Sequence, residues 1–167
     1  QLGDTEIRVH ALNNVGTAML FANRPGGPQR LQESLALALQ GGFHEHAARV
    51  YTNVGEHAVV FKDFARAETF ITEGIRFDTE HDLDAWTHYL TGWLAQLRFE
   101  QGRYDQAQQI AQQVLSIDRL TSVMRLPALT VLARLQVRRG EAQGVRRLEE
   151  ALALAPDFAA AYDNLLL

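Results

Sequence analysis

The chain contains no cysteine, a single lysine (Lys62) and only three serines among its 167 residues. Without cysteine there is no disulfide, no thiol chemistry and no cysteine-ligated zinc. No apolar run of about 18 residues is present, so no segment is predicted to span a membrane, and no signal peptide is recognisable. We therefore expect a protein of a reducing, cytoplasmic compartment.

An extended stripe of positive charge is also missing. The net charge is −4, and charged residues make up 22% of the chain against 47% hydrophobic residues, which is an ordinary balance for a soluble globular domain. Nucleic-acid-binding surfaces need clustered Lys and Arg, which an isoelectric point of about 5.8 does not favour. The sequence predicts neither nucleic-acid nor membrane contact for this segment.

The residue sets that catalysis requires are absent as well. The serines are Ser34, Ser116 and Ser122, and none lies in a G-x-S-x-G motif. The Gly/Pro loop at 24–28 lacks the Lys and Ser or Thr that follow the last glycine of a phosphate-binding P-loop. Since no nucleophile–base or metal set can be assembled, we predict a protein that is not an enzyme and that needs no cofactor.

Histidine and acidic residues do not form a metal-binding pattern. His44 and His46 are two residues apart and diverge on a helix, whereas a metal-binding pair is four apart. The acidic segment at 78–84, DTEHDLD, departs from a calcium-binding loop, which needs glycine at its sixth position and glutamate at its twelfth; Leu83 and Tyr89 stand there. We interpret the segment as a solvated connector whose last aspartate caps the next helix.

A small residue that returns about every forty residues is the main pattern in the sequence. It lies inside four stretches of helical periodicity, at Gly16, Gly55, Ala95 and Ala133, with spacings of 39, 40 and 38 residues. A predicted turn follows seven residues after each. The turn residues are Asn23, Lys62, Gly102 and Gly140. Two helices per unit and a period near forty are typical of an α-solenoid.

The clearest unit is the helical hairpin at 51–75. Its first helix carries an apolar stripe with Gly55 on the same side, and its second helix carries a stripe that includes Ala67. Because two helices joined by a short turn cross closely, only small residues fit at the crossing. We predict that structural role for six residues. They are Gly16, Gly55, Ala95, Ala133, Ala67 and Ala107.

These patterns predict an all-α fold, an α-solenoid of about four tetratricopeptide-like helix pairs plus a terminal helix, in one domain over residues 1–167. The predicted units cover residues 3–41, 43–80, 83–118 and 121–155, with a final helix at 157–167. Because that last helix would lack a partner, we expect the chain to be a fragment of a longer protein.

Two local features predict where helices begin. Asp4 is expected to cap the first helix. Pro127 falls about two turns inside the periodic stretch at 121–139, and it predicts either a kink or a helix start nearer Leu126.

Two aromatic residues admit two interpretations. Tyr89 and Trp93 lie four residues apart in the most aromatic stretch of the chain, at 83–101. The rings either pack in the core or share one helix face that lines a groove. The sequence leaves both interpretations open.

Two units resemble tetratricopeptide repeats. The residues that carry this resemblance are Tyr51, Val54, Gly55, Phe64 and Ala67 in one unit, and Gly102, Tyr104 and Ala107 in the other. The longer period and the phrases HALNNVGTAML, HEHAARVYTNVGE, HDLDAW, QGRYDQA and RLPALTVLARLQVRRGE resemble the repeat region of large LuxR-type transcription regulators. That resemblance spans nearly the whole chain. It implies a region between an ATP-binding module and a C-terminal helix-turn-helix, and neither motif occurs in these 167 residues.

The resemblance also implies a concave surface, formed by the first helix of each pair, that binds a protein segment or a small effector. Asn14 and Asn53 lie two residues before a small crossing residue, where peptide-binding tetratricopeptide domains use asparagine on the ligand backbone. The basic residues of a carboxylate clamp are incomplete in this chain, and only His10 and Arg49, four residues before each asparagine, could stand in for them. The candidate binding residues are His10, Asn14, Arg49, Asn53, Tyr89 and Trp93. The alternative is that Asn14 and Asn53 bond within their own helix pair.

Two functions follow as expectations. The first is a non-catalytic protein-interaction or effector-sensing region of a transcription regulator, in contact with flanking domains of the same chain. The second is a structural spacer with no ligand of its own, which forms a homodimer through the apolar end at 165–167.

Overall fold

The computed structural model describes residues 2–154, apart from the side chains at 2, 3, 148, 150–152 and 154. These residues form eight α-helices and no strand. The helices are α1 (Leu2–Phe21), α2 (Gly27–Gly41), α3 (His44–Val60), α4 (Phe64–Glu80), α5 (Asp84–Glu100), α6 (Tyr104–Leu115), α7 (Ser122–Arg138) and α8 (Gln143–Leu154). The predicted all-α fold is confirmed for this part of the chain. The predicted final helix at 157–167, with its apolar end, lies outside the described residues.

The backbone forms two compact units, Gln1–Thr87 and His88–Leu167. In the first unit α1 packs on α2, α2 on α3 and α3 on α4, and α1 also contacts α3. In the second unit α6 packs on α7 and α7 on α8, while α5 contributes Ala95 and Phe99 to a core shared with α6 and α7. Within each unit, helices that are neighbours in the sequence are therefore neighbours in space.

Six of the turns between helices repeat one geometry. Their residues with positive φ are Asn23, Gly42, Lys62, Asp82, Gly102 and Gly140. After each of them, the next N–H donates to the carbonyl five residues back, at 2.8–2.9 Å. This is the Schellman motif, which satisfies the last free carbonyls of a helix. The four predicted turn residues all occupy the left-handed position of this motif.

Two helix starts differ from the prediction. Helix α2 begins at Gly27, inside the segment predicted as a loop, because Pro28 in a first turn lacks only an N–H that would have no helical partner there. Helix α1 begins at Leu2, so the prediction that Asp4 caps it is wrong. Its carboxylate lies instead within the first turn, where the helix dipole favours negative charge.

Pro127 lies inside a continuous helix. Helix α7 begins at Ser122, after Thr121 whose Oγ1 accepts from Met124 N–H at 3.5 Å. The predicted alternative of a start nearer Leu126 is therefore wrong. The carbonyl of Pro127 accepts a hydrogen bond from Gln96 Nε2 of α5 at 3.2 Å, so this part of α7 is held by a side chain of another helix.

The acidic segment at 78–84 is not the solvated connector that the sequence predicts. Helix α4 continues to Glu80, and Asp78 in its last turn is fully buried. The reason is the helical period, since Asp78 follows the buried Ile71 and Gly74 at spacings of seven and four residues and so lies on the same face. Asp84 lies in the first turn of α5.

Small residues lie where paired helices approach. A Cβ added to Gly16 of α1 would lie 2.9 Å from Leu31 Cγ of α2, and one added to Gly55 of α3 would lie 2.9 Å from Ile71 Cγ1 of α4. The four alanines predicted at helix crossings are fully buried. They are Ala67, Ala95, Ala107 and Ala133.

Candidate functional site

Four of the six candidate binding residues lie in the first unit, on the contacting helices α1 and α3. His10 and Asn14 are exposed on α1, whereas Arg49 and Asn53 are half-buried on α3. We call His10, Asn14 and Arg49 the first-helix surface. Asn53 has a different position, because its side chain points to α1.

Asn53 links α3 to α1. Its Nδ2 donates to Asn13 Oδ1 and to Thr17 Oγ1, both at 2.9 Å, and Thr17 Oγ1 donates to Asn13 Oδ1 at 3.1 Å. Asn13 is fully buried. The amide N–H groups of Asn53 are therefore used between two first helices, rather than being offered to a ligand or bonded within one helix pair.

Asn14 has the equivalent place in the sequence and a different environment. Its Nδ2 donates to His10 Nε2 on its own helix at 2.9 Å, and the His10 ring meets the His46 ring edge-on at 5.6 Å. Asn53 meets the side chains of a neighbouring first helix, whereas Asn14 meets only its own. Of the two asparagines, Asn14 is thus the one that a ligand can reach.

We predict that Asn53→Ala destabilises the protein by about 1–3 kcal/mol, because it removes two hydrogen bonds, the one to the buried Asn13 and the one to Thr17. Asn14→Ala, on an exposed face, should change the free energy of unfolding by less than about 0.5 kcal/mol. Urea unfolding followed by circular dichroism measures both. Equal effects of the two substitutions would show that the Asn13–Thr17–Asn53 link does not hold the helices together.

Charged and aromatic groups continue the surface beyond Arg49. The Arg49 guanidinium lies 6.0 Å from the centroid of the Trp86 ring, at the limit of a cation–π contact. Trp86 Nε1 donates to Glu45 Oε2. This end of the surface therefore combines one cation, one carboxylate and one aromatic face.

The two aromatic candidates lie in the second unit, where their rings meet edge-on at 6.4 Å. Trp93 is only 3% exposed, so its indole offers no surface to a ligand, and Tyr89 is half-buried. Burial of Trp93 follows from the fold and could not be decided from a four-residue spacing.

Sequence reasoning missed the polar links between first helices. In the second unit Arg134 of α7 donates to Glu100 of α5 at 2.7 Å and lies 4.1 Å from the Phe99 ring centroid. It also donates to Gln96 Oε1 at 3.4 Å. Gln96 and Arg134 are 38 residues apart, and Asn13 and Asn53 are 40 apart. Polar residues separated by one period are the sequence signal that could have found both links.

A buried carboxylate is the most perturbed group of the first unit. Asp78 is fully buried, and neither of its carboxylate oxygens has a hydrogen-bond partner in the described residues. Burial raises the pKa of Asp78 to about 7; the negative charge of Glu45 adds to the increase, and His81 opposes it. The His81 ring lies 4.0 Å from that of His44, and its Nδ1–H donates to the Phe77 carbonyl at 2.8 Å.

These acidic residues and histidines do not form a metal site. Across the described residues, no group of three or more His, Asp or Glu side chains has an arrangement that could hold a metal ion. The buried Asp78 carboxyl instead binds a proton with a raised pKa, so the stability of the protein is expected to depend on pH.

Comparison with known proteins adds no assignment, because no protein-family model, no curated protein and no solved structure matches the chain. In the part of the chain that the structure describes, no helix has both the length and the hydropathy needed to cross a membrane. Over the described residues, fold and site together define an all-helical protein in which consecutive helices pack in order within each unit, and whose first unit carries exposed polar side chains beside a buried polar link.

Proposed function

We propose that the chain is a non-catalytic binding region, an α-solenoid of tetratricopeptide-like helix pairs whose first-helix surface holds a protein segment or a small effector. The main observation behind this proposal is that two asparagines at equivalent places in the sequence have different environments. Asn53 joins α3 to α1, while Asn14 and His10 remain at the surface beside that joint. A fixed pair of helices with polar side chains on their outer side is a preorganised binding surface.

The chemistry of the surface favours an extended peptide with an acidic group. The Asn14 amide can donate to and accept from a peptide backbone, and the His10 imidazole supplies a further donor or acceptor. Arg49 can pair with a carboxylate. The Trp86 face beside Arg49 can contact an apolar side chain of the same peptide.

The regulator context is part of this proposal. In a LuxR-type transcription regulator, an occupied first-helix surface would bias the state of flanking domains in the same chain. Its support is the sequence resemblance of phrases such as HEHAARVYTNVGE and RLPALTVLARLQVRRGE, which is an argument by analogy.

The proposal is tested with the double variant His10→Ala/Asn14→Ala, which leaves the stabilising Asn53 unchanged. Peptides are first selected on the wild-type chain from a displayed library, and their contacts are mapped by amide NMR shifts. We expect shifts along α1 and α3 and an affinity loss of about tenfold or more in the double variant, which corresponds to about 1.4 kcal/mol.

The matched control is Gln32→Ala/Gln40→Ala, two exposed polar residues of the second helix α2. It should bind the selected peptides as the wild type does. The proposal fails if the library yields no binder, if the NMR shifts lie outside α1 and α3, or if both double variants lose affinity equally.

A further inference from the structure

A cavity of about 490 Å³ lies in the first unit, away from the first-helix surface. It is formed where five pieces of the chain meet: the end of α1, the loop that follows it, the start of α2, the end of α3 and the start of α4. The side chains that carry its chemistry are Leu20, Arg24, Pro25, Pro28, His57 and Arg66. Its size falls within the range of small-molecule sites, about 300–1,000 Å³.

The titratable side chains that line this cavity are all basic, in a chain whose net charge is negative. In the described residues, neither Arg24 nor Arg66 forms an ion pair with a carboxylate. Asp63 lies near the cavity but does not line it, and its Oδ1 accepts from the Arg66 backbone N–H at 3.2 Å. Two arginine side chains therefore line one space without an ion pair to a carboxylate, and Asp63 is an acidic residue whose charge acts on this site.

The pKa of His57 is lowered, and besides burial the positive charge in this cavity is one of the causes. Burial is the main cause that lowers the pKa of His57, and the Arg66 guanidinium lowers it further, while a backbone hydrogen bond with Leu20 and the charge of Asp63 act in the opposite direction. The ring is held between Phe61, stacked at 4.3 Å, and Phe21, edge-on at 5.1 Å. The imidazole is thus fixed in position beside the two arginines.

The loop that lines the cavity is fixed as well. Gly26 has φ of 89°, a conformation that glycine adopts without a steric penalty. Its carbonyl accepts from the Arg30 backbone N–H at 3.2 Å and from the Arg30 guanidinium at 3.3 Å. The cavity therefore has a preformed wall, which reduces the entropy lost when a ligand binds.

We propose that this cavity binds the oxoanion group of a small organic acid, with Arg24 and Arg66 on the carboxylate or phosphate and with Leu20, Pro25 and Pro28 against the apolar part. Guanidinium groups match both oxoanions through paired N–H donors. The site is not a P-loop, since the anion is held by side chains from a loop and from helix α4. The proposal is independent of the first-helix surface and can hold if that surface binds nothing.

The test uses NMR of the full chain with three probes of similar shape: benzoate, phenyl phosphate and neutral benzamide. We expect the two anions to shift the amides of residues 23–29 and the His57 ring, with saturation at millimolar concentration or below, and benzamide to leave them unchanged. Comparison of the two anions decides between carboxylate and phosphate. Because a bound anion favours the imidazolium, its binding should also raise the pKa of His57 and tighten as the pH falls.

Variants distinguish a specific anion-binding site from non-specific electrostatic attraction. Arg24→Ala/Arg66→Ala should weaken anion binding by about tenfold or more, and Arg66→Lys should weaken it less, because lysine keeps the charge and loses the fork. The control Arg76→Ala/Arg125→Ala removes two exposed arginines, with the same change in net charge. Equal losses in both double variants, equal binding of benzamide, or no saturable shift at residues 23–29 of the wild type would overturn the proposal.

Discussion

Replacing Asp78 by asparagine is expected to stabilise the protein above about pH 7 and to have little effect near pH 4. Burial raises the pKa of Asp78 from 3.8 to about 7 in the folded state, whereas the unfolded chain releases this proton near 3.8. Between these values the unfolded state holds fewer protons, so stability falls as the pH rises from about 4 to about 7 and is then constant. Asparagine has no carboxyl group to titrate, so the variant does not lose stability over this pH range.

The size of the effect follows from the pKa difference. One pKa unit corresponds to about 1.4 kcal/mol, so we expect Asp78→Asn to stabilise the protein by about 2–4 kcal/mol at about pH 8. Urea unfolding of both proteins across the pH range measures the difference as a curve. The gain should increase between about pH 4 and pH 7 and stay level above that range.

The matched control for this experiment is Asp82→Asn, four residues further along. Asp82 is exposed and has φ of 56°, a conformation that asparagine tolerates well. We expect this exposed substitution to change the free energy of unfolding by less than about 0.5 kcal/mol. A difference between wild type and Asp78→Asn that does not vary with pH would show that the Asp78 carboxyl is not protonated in the folded state.

Replacing Gly27 by alanine is expected to destabilise the protein by about 2–3 kcal/mol, the upper range for overpacking. A Cβ at Gly27 would lie 2.7 Å from the Leu20 backbone nitrogen and 3.1 Å from the Gly16 carbonyl oxygen. These are backbone atoms of the last two turns of α1, so relief requires a displacement of α2. Because Gly27 also begins α2 beside the loop at 22–26, that displacement should disturb the proposed anion cavity.

Gly55→Ala is the matched comparison. Its added Cβ would meet Ile71 Cγ1 at 2.9 Å, and the nearest backbone atom of another helix is 3.7 Å away, so the strain falls on one side chain and not on the backbone. Alanine is favoured over glycine inside a helix by about 1 kcal/mol, which offsets the strain. We expect Gly55→Ala to lie within about 1 kcal/mol of wild type.

Gly16→Ala should fall between the two, since its added Cβ meets both a side-chain atom of Leu31 at 2.9 Å and the Leu31 backbone nitrogen at 3.1 Å. Urea unfolding of the three variants tests the order Gly27, Gly16, Gly55, from the largest loss to the smallest. A more stable Gly27→Ala variant, or a Gly55→Ala variant that loses the most, would contradict the explanation by backbone contact.

Much of the fold was accessible from the sequence because it depends on local chemistry. The period of the apolar residues identifies the helices, and the small residue in the C-terminal half of each first helix marks where its partner approaches. The turn positions were found from spacing alone, and they include Lys62, whose side chain gives no turn signal. The Schellman geometry at these sites uses only backbone groups near the helix end, so a regular period is enough to locate it.

The errors concern boundaries that short-range signals do not define. Helix α4 was predicted to give way to a solvated connector at Asp78, because residues 78–84 form an acidic run. Three further residues are helical, since no glycine or proline intervenes before Asp82. An aspartate on the buried face of a helix cannot be told from one in a loop until the helix end is known.

The sequence by itself determined that the described part of the chain is helical and which small residues stand inside its helices, since both follow from the 3.6-residue period and the conformational limits of the backbone. Only the tertiary structure decided that Asn53 donates hydrogen bonds to Asn13 and Thr17 while Asn14 is exposed. It also decided that the buried Asp78 carboxylate has no hydrogen-bond partner in the described residues, and that Arg24, His57 and Arg66 line one cavity. These depend on residues about 10 to 40 positions apart, and the environment of a side chain across such distances is set by which helices meet.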